Sequence, residues 1–257
     1  MFSGIDFFQG MTQVVLLVLC GVSGFSYGFA GGTGEPNDPY RIASAEQLVS
    51  IGFDPNLLDK CFVLVNDIDL DPNLPNGRVF GCAVVAADVN DAWNGFDGTP
   101  FTGALDGAGF AISNLTVHGS EHLGLFGVIG PRGVVRNLSV RNAEISRQKM
   151  GWDFIGTLAG QNEGTITNCH ITTAISFGEL PALLQSTGGG LVGVNIGTLA
   201  QCSACVRMTG CFAYVGGLVG SNGGAGIVSA CRAEGQVTCN AGFIGGLIGV
   251  NGGLAIG

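Results

Sequence analysis

The feature that most constrains this chain is a recurring block of glycine, two apolar residues and glycine. Gly190-Leu191-Val192-Gly193, Gly217-Leu218-Val219-Gly220 and Gly246-Leu247-Ile248-Gly249 repeat it closely, while Gly156-Thr157-Leu158-Ala159-Gly160 and Gly124-Leu125-Phe126-Gly127 are looser copies. Their last glycines fall at 127, 160, 193, 220 and 249, in steps of 33, 33, 27 and 29. A period of that size marks a stacked array of supersecondary units. The apolar patches within each unit are of strand length, and Gly or Asn separates them. One unit cannot bury its own apolar side chains, but stacked units share a continuous core.

Parallel coils lie about 4.8 Å apart, so equivalent residues of successive coils sit above one another. Leu125, Leu158, Leu191, Leu218 and Leu247 are expected to form one interior column. Asn162, Asn195, Asn222 and Asn251 are expected to form another at a turn, where Asn tolerates the left-handed conformation and its amide can bond the next. The first copy has Gly130 at that place, so the Asn column should begin one coil later. The expected fold is all-β: a right-handed parallel β-helix (solenoid) with a short N-terminal capping helix.

The cap is read from Ser44 to Gly52, where Ser44 and Gln47 form a capping-box pair and Gly52 sits at the expected stop. Downstream, alternation puts Phe62, Leu64, Ile68 and Leu70 on one strand face and Asp67, Asp69 and Asp71 on the other. Residues 72–100 read as an insertion with a strand near Val79–Val85. Phe101–Val117 reads as strand, Asp-Gly turn, strand. The chain divides into a signal peptide (1–30), a lead-in and helical cap (31–60), first coils with loop insertions (61–123) and solenoid repeats (124–257). The last of these opens a coil at Gly246 without completing it, so a longer array or an end-to-end contact is expected.

Glycine makes up 46 of 257 residues, against roughly 7% in average proteins, without the Gly-X-Y period of collagen. The net charge is −9 and charged residues are only 11%, with Arg207 and Arg232 the only basic residues beyond position 150. That balance argues against nucleic acid and anionic membranes as partners, since both require a basic patch. Thr12–Val22 is apolar but too short to span a bilayer. With Gly28 and Ala30 at the −3 and −1 places it reads as an export signal, although no Lys or Arg precedes it. The mature chain is therefore expected to be secreted or held at the cell surface, without a transmembrane span.

These residues resemble the bacterial GLUG-motif repeat proteins, named for a Gly-Leu-hydrophobic-Gly core. Gly164-Thr165-Ile166-Thr167-Asn168-Cys169 resembles the second strand of that repeat. Asn66-Asp67-Ile68-Asp69-Leu70, Phe101–Gly107 and Ile112-Ser113-Asn114-Leu115 resemble the segments that lead into it. The resemblance covers roughly residues 33–257 and implies a parallel β-helix in an exported or surface-associated, adhesin-like protein. It carries no catalytic motif and so transfers no active site.

Candidate sites are few. Asp67, Asp69 and Asp71 could offer hard oxygen ligands to Ca²⁺, or simply form a solvated acidic strand face. Asp88-Val89-Asn90-Asp91 with Asn94 and Asp97 is oxygen-rich but lacks EF-hand spacing and reads as a polar loop. Trp93, Phe96 and Phe101 are the one group of aromatics that could bind a glycan. Glycoside hydrolysis would need paired carboxylates, and beyond position 150 Asp153, Glu163, Glu179 and Glu234 form no cluster in sequence. Arg147, Lys149 and His170, the nearest set for lyase chemistry, read as loop and surface. His118, His122 and His170 show no partner that suggests a triad or a metal.

Cys169, Cys202 and Cys231 share a repeat phase and read as a column of buried free thiols. Cys211 and Cys239 form a second column or one disulfide. Cys202 and Cys205 should point to opposite strand faces, which, with no second pair or nearby His, argues against a Cys-x-x-Cys metal site. Asn114 and Asn137 lie in sequons but read as turn or ladder residues. The expected function is an exported structural or adhesive scaffold with no catalytic activity and no required cofactor. Its partner would be a surface glycan or cell-surface protein, bound on the irregular segments 72–100 and 172–188. The alternative is a carbohydrate-binding module or carbohydrate-active enzyme on the same scaffold.

Overall fold

The computed structural model describes residues 28–89, 95–148, 152–176, 186–211, 214–239 and 242–257. Trp93, Lys149, Glu179 and most of the expected signal peptide lie outside them. The chain is a parallel β-solenoid whose walls are four sheets, with every strand pairing parallel to its neighbours. Sheet I stacks Tyr40–Ile42, Cys61–Leu64, Ala104–Asp106, Val134–Arg136, Thr165–Thr167, Thr198–Ala200, Ile227–Ser229 and Leu254–Ile256. Sheet II stacks Ile68–Asp69, Ala111–Ser113, Ser139–Arg147, His170–Ser176, Ser203–Cys211 and Arg232–Cys239, and Thr116–Gly119 also pairs there. Sheet III runs through His122–Leu123, Phe154–Gly156, Thr187–Gly189, Tyr214–Gly216 and Phe243–Gly245. Sheet IV runs through Phe126–Ile129, Ala159–Asn162, Val192–Asn195, Val219–Asn222 and Ile248–Asn251.

The core fills the coil interior. Leu125, Leu158, Leu191 and Leu218 are fully buried, and Leu247 packs against them. Their rungs are tied by backbone bonds such as Leu191 N–H to Leu218 O at 2.9 Å. Glycine is required beside this column: a Cβ on Gly190 would collide with Val206 and with the Gly217 carbonyl of the next coil. Thr157 replaces glycine at the equivalent place, and its hydroxyl is buried without a hydrogen-bond partner.

The Asn column is continuous. Asn162 Nδ2 donates to Asn195 Oδ1 at 2.8 Å, Asn195 to Asn222 at 2.7 Å and Asn222 to Asn251 at 2.8 Å. Two expectations about it are corrected. The residue paired with Asn162 in the preceding coil is buried Ile129 rather than Gly130. The column residues also end extended strands, and the left-handed positions belong to other residues, Asn114, Asn137, Asn142, Asn168, Gln201 and Ala230.

Those left-handed asparagines build two further columns, each starting on an aspartate. Asn142 donates to Asn114 at 2.6 Å and Asn114 to Asp69 at 2.8 Å. Asn168 donates to Asn137 at 2.9 Å and Asn137 to Asp106 at 3.0 Å. A carboxylate suits the first rung because it needs only to accept. The amides of Asn114 and Asn137 are thus engaged in ladders.

The helix α1 (Ala45–Phe53) closes the N-terminal end by burying Leu48, Val49 and Ile51 against the core. Gln47 N–H bonds Ser44 Oγ, and Gln47 Oε1 accepts from Ala43 N–H at 2.7 Å. Gly52 lies inside the helix and does not stop it; its missing Cβ admits the Val84 carbonyl. Phe29, inside the expected 1–30 signal peptide, stacks on Tyr40 at 4.5 Å, so the last residues of that expected leader pack on this closed end.

Residues 72–100 are less of an excursion than expected. No strand forms at Val79–Val85, yet Phe80 bridges Val117, Val85 bridges Phe126 and Phe101 bridges Ile129, all in parallel. The segment therefore contributes backbone pairing to the adjacent coil.

Candidate functional site

The expected group of exposed aromatics does not form as proposed. Phe101 is 1% exposed and stacks in the core between Phe62 at 6.4 Å and Phe126 at 5.0 Å. Its backbone pairing with Ile129 turns the ring inward, and no periodic signal in residues 72–100 reveals that phase. Phe96 is half-buried, with its ring edge-on to His122 at 5.2 Å.

Asp67, Asp69 and Asp71 do face outward, but each is engaged locally. Asp67 accepts from Ala111 N–H, Asp69 from Asp71 N–H and the Asn114 amide, and Asp71 from Asn73. They begin ladders and close turns.

A cluster with more concentrated chemistry lies at the corner between sheets II and III. His122 Nδ1 is 3.1 Å from Asp88 Oδ2, and Glu121 carries the third ligand-type atom, all within 4.8 Å of one another. His122 and Asp88 side chains are 3% and 5% exposed. Their separation of 34 residues is one repeat, and the polar column continues through Glu121, Asp153 and Ser186. Asp153 accepts from Glu121 N–H at 2.7 Å and from Ser186 Oγ at 3.2 Å, and pairs with Arg147 at 3.4 Å. Arg147 is therefore buried rather than on the surface, and it donates to Ser186 at 2.6 Å. The isolation expected for His122 and Asp153 is likewise corrected. The missed signal is the spacing Asp88, Glu121, Asp153, Ser186 in steps of 33, 32 and 33, hidden because the residue types differ from coil to coil.

Burial lowers the His122 imidazole below its ordinary value, against the pull of the Asp88 charge. Burial likewise raises the Asp153 carboxyl, against the hydrogen bonds it accepts and the Arg147 charge. Glu121 holds a left-handed φ of 73°, a conformation that costs a residue with a long side chain.

The second feature is the outward face of sheet II. A register shift between Val140 and Ala143, with Asn142 left-handed, bends the strand Ser139–Arg147. Two adjoining depressions share Thr172. One, of about 480 Å³, is lined by residues including Asp71, Asn73, Asn114, Thr116, Asn142, Glu144 and Thr173. The other, of about 270 Å³, is lined by residues including Ser139, Arg141, His170, Ser203, Cys205, Arg232 and Glu234. Hydroxyls, amides and both signs of charge thus form a shallow, open polar groove. His170 is held by Ser203 at 2.9 Å and Asn168 at 3.2 Å.

The thiols follow their expected placement. Cys169 and Cys202 are buried, Cys231 is half-buried and Cys205 is exposed, and all four are free. The neighbouring Cys169 thiol, with burial, pushes Cys202 up to about 12. Cys211 and Cys239 are register partners in adjacent strands.

Fold and groove together define the class: a parallel β-solenoid with a polar outer face. Two curated proteins are similar to it in sequence. Halomucin of Haloquadratum walsbyi is 33% identical over 175 residues, 64% of this chain but 2% of halomucin. A candidate Gly-rich membrane protein of Evansella cellulosilytica is 33% identical over 149 residues, 56% of this chain and 15% of that protein. The chain thus spans a small part of either relative. Its fold is similar to the crystal structure of a candidate immunoglobulin A1 protease from Bacteroides ovatus, with a TM-score of 0.64 and 22% identity over 89% of this chain and 67% of that one. That likeness shows the fold. No protein-family model matches the chain, so the GLUG resemblance rests on the motif residues themselves. No helix among the described residues is long and apolar enough to cross a membrane.

Proposed function

We propose that this chain is a cell-surface or secreted solenoid scaffold that binds a hydroxyl-rich surface polymer, a glycan, along the outer face of sheet II. The observation that carries this reading is the pair of adjoining depressions between Asp71 and Glu234, which share Thr172 and are lined by Asn, Thr, Ser, Arg and Glu side chains on a stack of parallel strands. Such side chains offer donors and acceptors at a spacing that repeats with the coils, as extended-polymer recognition requires. An open polar groove favours reversible binding over chemistry that needs water excluded. The export-like N-terminus and the GLUG resemblance support a surface location. So do the names of the two sequence relatives, one a mucin and the other a membrane protein.

Glycan-array and cell-surface binding by the full chain tests the proposal. Specific binding, weakened about tenfold or more by Arg141→Ala with Arg232→Ala or by Thr172→Arg, supports it; tenfold corresponds to about 1.4 kcal/mol. Absence of binding, or binding indifferent to these changes, overturns it.

A further inference from the structure

We propose that Asp88, Glu121 and His122 bind one divalent transition-metal ion of the zinc class, clamping the irregular segment that carries Asp88 to the wall of the solenoid. The geometry is suitable. Two ligands each about 2.0–2.2 Å from a shared zinc ion lie about 3.0–3.5 Å apart, and His122 Nδ1 and Asp88 Oδ2 are separated by 3.1 Å. Glu121 lies within the 4.8 Å spread of the group and offers the third ligand atom.

The donor set points the same way. Asp88, Glu121 and Asp153 bring three carboxylates into one buried corner, where Arg147 is the guanidinium that pairs with Asp153. One imidazole nitrogen with two carboxylate oxygens suits zinc and its neighbours better than Ca²⁺ or Mg²⁺, which favour all-oxygen shells. The edge-on rings of Phe96 and Phe154, at 5.2 and 5.0 Å from His122, hold the imidazole in place.

The test is isothermal titration of the chelator-treated full chain with zinc chloride, alongside calcium and magnesium chlorides, and a thermal melt of each mixture. The expected result is one equivalent of zinc bound and a raised Tm, with neither effect from calcium or magnesium. His122→Gln and Asp88→Asn should each weaken zinc binding roughly 100-fold, the upper range seen when an ion's supporting groups are lost. Circular dichroism without metal verifies that each variant is folded; if either is not, Glu121→Gln is read in its place. The cobalt(II) spectrum separates this site from the free thiols. A spectrum without a thiolate charge-transfer band supports the proposal. A thiolate band, no zinc binding, or zinc affinity unchanged in a folded His122→Gln variant overturns it.

Discussion

At the scale of single residues, the solenoid is governed by what can be repeated at the same place from coil to coil. Asn195 is fully buried, donating one amide bond up the stack and accepting another from below. Replacing it with Ala strands the Asn162 donor and the Asn222 acceptor. Asn195→Ala should cost about 2–6 kcal/mol, since each of the two buried unsatisfied groups costs about 1–3 kcal/mol. In a thermal melt that is a drop of roughly 4–24 °C, at about 2–4 °C per kcal/mol for a chain of this size. Thr157 is the converse case. Its buried hydroxyl bonds nothing, so Thr157→Val keeps the shape, removes a desolvated polar group and should raise the Tm. A lowered Tm in that variant would show that the hydroxyl has a partner.

At the scale of elements, the ladder that starts on Asp106 makes the fold sensitive to acid. Asp106 is raised by burial but lowered further by hydrogen bonds from Ala108, Asn137 and Arg136 and by the Arg136 charge, so its net position is below its ordinary 3.8. A carboxyl depressed in the folded state contributes stability above 3.8, and that contribution is lost as pH falls through the depressed value. Urea melts between pH 6 and 2 should therefore show a smaller acid loss in Asp106→Asn than in the wild type. Equal slopes would remove Asp106 from the acid limb.

The same elements show how much of the molecule could be read from sequence. The Leu, Asn and Cys columns were visible because one residue type recurs in phase, and parallel stacking then dictates their contacts. Periodicity was silent where the residue type changes between coils. Phe101 follows no repeat, so its inward phase became evident only through its bridge to Ile129. Asp88, Glu121 and Asp153 do keep the repeat spacing, but as a mixture of carboxylates around a histidine they form no motif. The groove on sheet II was hidden for another reason. Its bend depends on a register shift at Asn142, a property of backbone pairing between coils.

At the scale of the whole stack, the first and last coils of this sequence differ in their cover. The helix α1 and the Phe29–Tyr40–Phe62 stack cover the first coil. At the other end Phe243 is 65% exposed, and Ile244, Leu254 and Ile256 are each about half exposed. Uncovered strands with apolar side chains are templates for association. Sedimentation velocity should show concentration-dependent association that Leu254→Lys with Ile256→Lys suppresses. A monomer at every concentration would contradict an end-to-end contact between copies.

The central claim is a division of labour: buried columns build the stack, and the outer face of sheet II binds. The most direct measurement is glycan binding compared side by side for wild type, Asn195→Ala and the Arg141→Ala, Arg232→Ala pair, below the melting temperature of each. The account predicts that Asn195→Ala lowers the Tm while leaving affinity unchanged, and that the arginine pair lowers affinity while leaving the Tm unchanged. Binding by the arginine pair equal to that of the wild type would contradict it.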